Sequence, residues 1–164
     1  MTEPVAPSAP PSMVLEGLYF DDLCEGMSWR TVGATLTEAE IIDFALKFDP
    51  QPFHIDTEAA RTESIFGGLI ASGFHTLALS FRLFMQSGVL RAASLGGPGM
   101  EDLRWLRPVH AGDTIRTIVT VHRMVPSRSK PDRGAVTWAF DVRNQRDETV
   151  MTARLTSLMT RRGS

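Results

Sequence analysis

From residue 135 to 143 the chain alternates: Val136, Trp138, Phe140 and Val142 fall between Ala135, Thr137, Ala139, Asp141 and Arg143, the two-residue period of a strand with one buried face. The same period, less clean, runs through Ile115, Thr117, Val119 and Val121, and again through Met151, Ala153, Leu155 and Met159. Turn-forming residues separate these runs at Ala111-Gly112-Asp113, in the polar stretch from Ser127 to Gly134, and from Asn144 to Asp147. Short turns between successive strands predict an antiparallel meander. Two more strands are expected, one near Met27 to Leu36 and one from Met100 to Leu106.

Between Gly73 and Gln86 the spacing changes. Phe74, Leu77, Ala78, Leu79, Phe81, Leu83, Phe84 and Met85 occupy most of a helix circumference, and Gly88 stands just past the end. This predicts a helix enclosed by protein on nearly every side. Upstream, Thr37-Glu38-Ala39-Glu40 has the form of a capping box, with Ile41, Ile42, Phe44, Ala45 and Phe48 as the apolar stripe that follows. Pro50 should stop that helix, because proline lacks an amide proton and disfavours helical geometry at Asp49. Together the elements predict an α+β fold, one curved antiparallel sheet around one long apolar helix.

The bulk numbers leave that picture intact. A chain of 164 residues is the size of one domain, and 43% hydrophobic with 22% charged residues is a globular composition. The first residues, MTEPVAPSAPPS, hold four prolines and little to bury, so a disordered proline-rich arm is expected over 1–13 and the domain over 14–162. No apolar run approaches the roughly 20 residues of a membrane helix, and a net charge of −2 argues against a nucleic-acid partner. The single Cys24 cannot form an internal disulfide, and no signal peptide is apparent; a cytoplasmic protein is expected.

Chemistry concentrates where the first helix breaks, at Asp49-Pro-Gln-Pro-Phe-His54. Five residues of helix turn about 500°, which would point Asp49 and His54 roughly 140° apart. Two X-Pro steps instead favour extended backbone at Asp49 and Gln51, so the chain can curl and bring acid and imidazole to one small volume. Two readings of this spacing stand open: a catalytic pair, or a helix-ending Asp-Pro beside a histidine packed between Phe53 and Ile55. His75, on the apolar helix, reads as a hydrogen-bonded core or interface residue. His110 and His122 lack carboxylates at ligand spacing, so no metal site is expected. Ser80 either orients the pair or back-bonds to its own helix. Arg123, Arg128, Lys130 and Arg133 read as solvated surface, with phosphate binding as the alternative. No nucleophile elbow, phosphate loop or dinucleotide motif is present.

Asp49-Pro-Gln-Pro-Phe-His54 resembles the D-x-N-P-x-H signature of the MaoC-like dehydratases and (R)-specific enoyl-CoA hydratases. Ala59-Ala60, then Phe66-Gly-Gly-Leu-Ile-Ala-Ser-Gly73, then Leu106-Arg-Pro-Val109 with Gly112-Asp113 are similar to that family's segments in the same order. The resemblance covers roughly residues 18 to 160. It implies a hot-dog fold, a homodimer or higher homo-oligomer, an acyl thioester of coenzyme A as substrate and no cofactor. It implies Asp49 and His54 as the catalytic pair, sharing the proton transfers of hydration, with Gly73, Gln51, Ser72 and Phe53 as substrate-binding residues. The backbone amide of Gly73, at a helix start, suits a developing oxyanion, and glycine admits a thioester carbonyl closely; tight helix packing is its other reading. One departure stands out: Gln51 occupies the place of the signature's Asn, moving its amide outward by a methylene. Two alternatives to the hydratase remain, a hot-dog thioesterase using Asp49 or Glu58, and a non-catalytic acyl-CoA-binding protein.

Overall fold

The computed structural model describes residues 16–163; the proline-rich arm expected over 1–13 lies outside them. After a single 3₁₀ turn at Phe20–Asp22, the elements run β1 Ser28–Arg30, β2 Ala34–Thr35, α1 Glu38–Phe48, α2 Pro52–Ile55, α3 Thr57–Thr62, α4 Gly73–Gln86, β3 Gly99–Trp105, β4 Thr114–Pro126, β5 Arg133–Arg143 and β6 Thr149–Thr160. The six strands form one antiparallel sheet in the order β1-β4-β5-β6-β3, with β2 also on β4. The last three strands are the meander that their alternation predicts, in register through Val119↔Phe140 and Phe140↔Ala153.

The sheet curls around α4. Trp138 and Phe140 meet Phe84 of the helix at ring-centroid distances of 5.2 and 5.4 Å, and the indole of Trp138 donates to Ser157 Oγ at 2.7 Å, so the largest core side chain carries no orphan donor. A second apolar cluster gathers Leu79 and Leu83 of α4 with Ile41, Val109, Ile115 and Met151. It seats the α1-to-α4 segment against the same end of the sheet.

Four expectations are corrected. The strand foreseen near Met27 to Leu36 is two short strands, because the Thr31 hydroxyl accepts the amide of Thr117 at 2.9 Å, where a ladder carbonyl would stand. Phe48, assigned to the buried stripe of α1, is 69% exposed; only Ile41 and Ala45 are buried along that helix. Helix α4 is not enclosed all round: the sheet covers Thr76, Leu79, Ser80, Leu83 and Phe84, while Phe74, Ala78, Phe81 and Met85 are exposed. His75 is stacked flat on Phe44, with ring centroids 4.5 Å apart and planes at 6°, but its Nδ1 has no hydrogen-bond partner among the described residues. Burial lowers its pKa.

Candidate active site

Helix α1 stops at Phe48, and Asp49 caps it with φ −157° and ψ 69°. Gln51 is extended at φ −78°, ψ 144° and starts α2, with Pro52 in the first-turn position where a missing amide costs nothing. The four residues of α2 then carry His54 back toward Asp49. His54 is 4% exposed, and its Nε2 lies 3.4 Å from Asp49 Oδ2. Its Nδ1 lies 2.8 Å from the Ile70 carbonyl oxygen. A carbonyl only accepts, so Nδ1 bears the hydrogen and Nε2 is left to face the carboxylate.

Asp49 is held from both sides. Ser72 Oγ donates to its Oδ2 at 2.6 Å and Gln51 Nε2 donates to its Oδ1 at 2.8 Å. Burial pushes the Asp49 carboxyl up, but the bonds from Ser72 and Gln51 and the nearby His54 outweigh it and hold the group below the ordinary aspartate value. It is therefore ionised at neutral pH. The extra methylene of Gln51 is taken up in reaching back two residues to that carboxylate.

The pair opens onto a cavity of about 470 Å³. Phe53, Phe66, Ile70 and Phe74 give it an apolar lining; Gly73, Thr76, Trp105, Arg107 and Val109 also border it. The Phe53 ring stands edge-on to His54 at 4.5 Å, and Gln51 is on the wall. Gly73 is the first residue of α4, so its amide has no carbonyl to bond within the helix. Its flank is closed: a Cβ there would come within 2.5 to 2.9 Å of the Trp105 ring, whose Nε1 donates to the Gly73 carbonyl at 3.0 Å. Ser72 is fully buried and does not border the cavity; it touches Asp49 instead, and accepts the Phe74 amide at 3.2 Å as the cap of α4.

A scan of family models settles the kinship, matching residues 24–155 to the MaoC like domain. The chain belongs to the MaoC-like family. An uncharacterized protein of Bacillus subtilis (strain 168) is 33% identical over 144 residues, 88% of this chain and 100% of its own length. An (R)-specific enoyl-CoA hydratase of Rhodospirillum rubrum is 32% identical over 119 residues, 67% of this chain and 74% of the relative. The crystal structure of a MaoC-like dehydratase from Rhodospirillum rubrum superposes with a TM-score of 0.83 at 41% identity, covering 90% of this chain and 100% of that one. The sheet curled around α4 is thus the hot-dog fold of the MaoC-like proteins.

Other candidates lie elsewhere. Ser80 Oγ donates to the Leu77 carbonyl at 2.8 Å, the back-bonding alternative. Glu58 is exposed on α3, bonded to Arg61 and away from the cavity. Arg123, Arg128, Lys130 and Arg133 do not border the cavity, and Arg133 is paired with Asp132 at 2.7 Å. Among the described residues no group of three or more His, Cys, Asp or Glu could hold a metal, and no helix is long and apolar enough to cross a membrane. Sequence reasoning did not single out Trp105, Arg107 or the Ile70 carbonyl. The first two sit at a strand end and in a Pro-containing turn, where no period marks a side chain, and the third is a backbone atom.

Proposed function

We propose that this MaoC-like protein is a hydro-lyase that adds water across a 2-enoyl-CoA, or removes it from a 3-hydroxyacyl-CoA, with (R) stereochemistry. The observation that carries this reading is the Asp49–His54 pair on the wall of an apolar cavity, with Asp49 ionised and the buried His54 held through Nδ1 by the Ile70 carbonyl. Nε2 and Oδ2 lie 3.4 Å apart, close enough for one water on the cavity side to bond to both. With hydrogen on both ring nitrogens of His54, Asp49 takes a proton from that water as its oxygen bonds to C3, His54 gives the Nε2 proton to C2, and the proton on Asp49 then returns to His54 Nε2. Because Nδ1 is committed to Ile70, any proton that His54 delivers leaves from Nε2. The Gly73 amide receives the enolate oxygen that forms between these steps. Phe53, Phe66 and Ile70 line the space for the acyl group. The kinship with an (R)-specific enoyl-CoA hydratase supports the same chemistry.

A homodimer accompanies this reading. The bare stripe of α4 holds Phe74 at 57%, Phe81 at 38% and Met85 at 40% exposure, and it runs beside the edge strand β3. Two such faces brought together bury aromatic surface that a lone chain leaves in water. A cytoplasmic setting suits an exposed, unpaired Cys24.

The test follows the conjugated enoyl-thioester absorbance with crotonyl-CoA and a longer trans-2-enoyl-CoA, with free thiol monitored in parallel. Wild type should consume the alkene without releasing thiol, and Asp49→Asn and His54→Ala should each lose about 10²-fold or more in kcat. Thiol release dependent on Asp49 would replace this reading with a thioesterase.

A further inference from the structure

One cation borders the cavity by virtue of a side chain that is charged at every physiological pH, and it is Arg107. It stands on the wall with its side chain half exposed, yet it is tied down at several points. Its backbone amide donates to the Val150 carbonyl at 3.3 Å, as does that of Leu106 at 2.8 Å. Pro108 follows it and restricts its backbone to extended geometry. Its Nη1 donates to the Thr149 carbonyl at 2.8 Å. An ordinary surface arginine gains little from such tethering, because ordering its long side chain costs entropy.

The guanidinium is also left with its charge largely unspent. Among the described residues its only nearby carboxylate is Glu148, 3.9 Å from Nε and outside hydrogen-bond range. That carboxylate is already engaged through Oε2 by Asn144 Nδ2 and Arg146 Nε, both at 2.8 Å. Thr149 offers Arg107 a neutral oxygen. The result is a fixed positive charge with spare donors on one part of the cavity, and a fixed negative charge, Asp49, on another. An elongated ligand carrying one anionic group therefore has a preferred direction in this space.

We infer that Arg107 anchors an anionic oxygen group of the substrate, a phosphate of its carrier or a carboxylate on its acyl chain, and so sets which end of the ligand meets Asp49 and His54. This rests on the acyl-thioester reading above. The experiment measures binding of ligands that cannot react, by calorimetry on the full chain: acetonyl-CoA, acetonyl-pantetheine, which lacks the nucleotide phosphates, and a pantetheine thioether of a ketone ending in a carboxylate. Arg107→Gln should weaken binding of at least one anionic ligand about tenfold and leave acetonyl-pantetheine unchanged. Loss confined to acetonyl-CoA assigns the carrier phosphate, and loss with the carboxylated pantetheine ligand assigns the acyl end. Arg107→Lys, which keeps charge but not the planar fork, guards against a folding defect and should bind with intermediate affinity. Binding of all three ligands by Arg107→Gln as tightly as by wild type overturns the anchor while leaving the thioester reading standing. Failure of wild type to bind any of the three overturns both.

Discussion

Ser72 has one hydroxyl proton and gives it to Asp49 Oδ2 at 2.6 Å, while its oxygen takes the amide of Phe74 at 3.2 Å. A single side chain thus caps α4 and sets the basicity of the carboxylate. Ser72→Ala should lower stability by about 1 kcal/mol through loss of the cap, read as a drop in melting temperature. It should also raise the Asp49 pKa, because a bond to the charged form is gone. The Asp49 carboxyl lies below its unfolded value in the folded chain, so the stability it contributes is complete above that unfolded value and is lost as pH falls through the lowered one. In Ser72→Ala both that loss and the acid limb of the rate profile should move to higher pH, measured by unfolding and by kcat/KM across pH. A limb that stays in place would sever Ser72 from Asp49. Gln51, by contrast, was legible only as a departure from a motif; its bond to Asp49 depends on a side-chain torsion that no sequence pattern records.

Among the elements, α4 was legible to the residue, from Gly73 to Gln86, because the spacing of its apolar residues and the glycine beyond its end agree. The short helices α2 and α3 were not. Four and six residues are too few to show a period, and their tertiary neighbours hold them. The convergence of Asp49 and His54 did follow from the prolines, since a helix carried through would have parted them. At the head of α4, Gly73 packs closely against Trp105 and borders the cavity. Gly73→Ala should destabilise the protein by roughly 1–3 kcal/mol by displacing Trp105. The double variant Gly73→Ala/Trp105→Ala should show strong coupling in a double-mutant cycle, because removing the indole removes the clash. Additive effects would mean that the two residues do not share that contact.

For the molecule as a whole, alternation along β4, β5 and β6 specified both the meander and its buried face, since a slip of one residue would turn every apolar side chain to solvent. The pattern was silent on how far the sheet closes around α4: a helix apolar on all sides reads alike whether protein or a second copy covers its last face. Phe81→Glu places a charge in that stripe and should convert a dimer to a monomer in sedimentation, with the fold retained by circular dichroism. An unchanged sedimentation coefficient would remove the stripe from the interface. Ser72, Gly73 and Phe74 are consecutive, yet the first meets the carboxylate, the second the cavity, and the third both the cavity and the bare stripe. One inserted residue would rotate all three by about 100° and reassign every duty at once. Phe66, also on the lining, meets the Phe53 ring and not the catalytic pair, and carries no such shared burden. Descendants of this chain are therefore free to reshape the acyl side at that position, changing diet while the reaction is inherited intact.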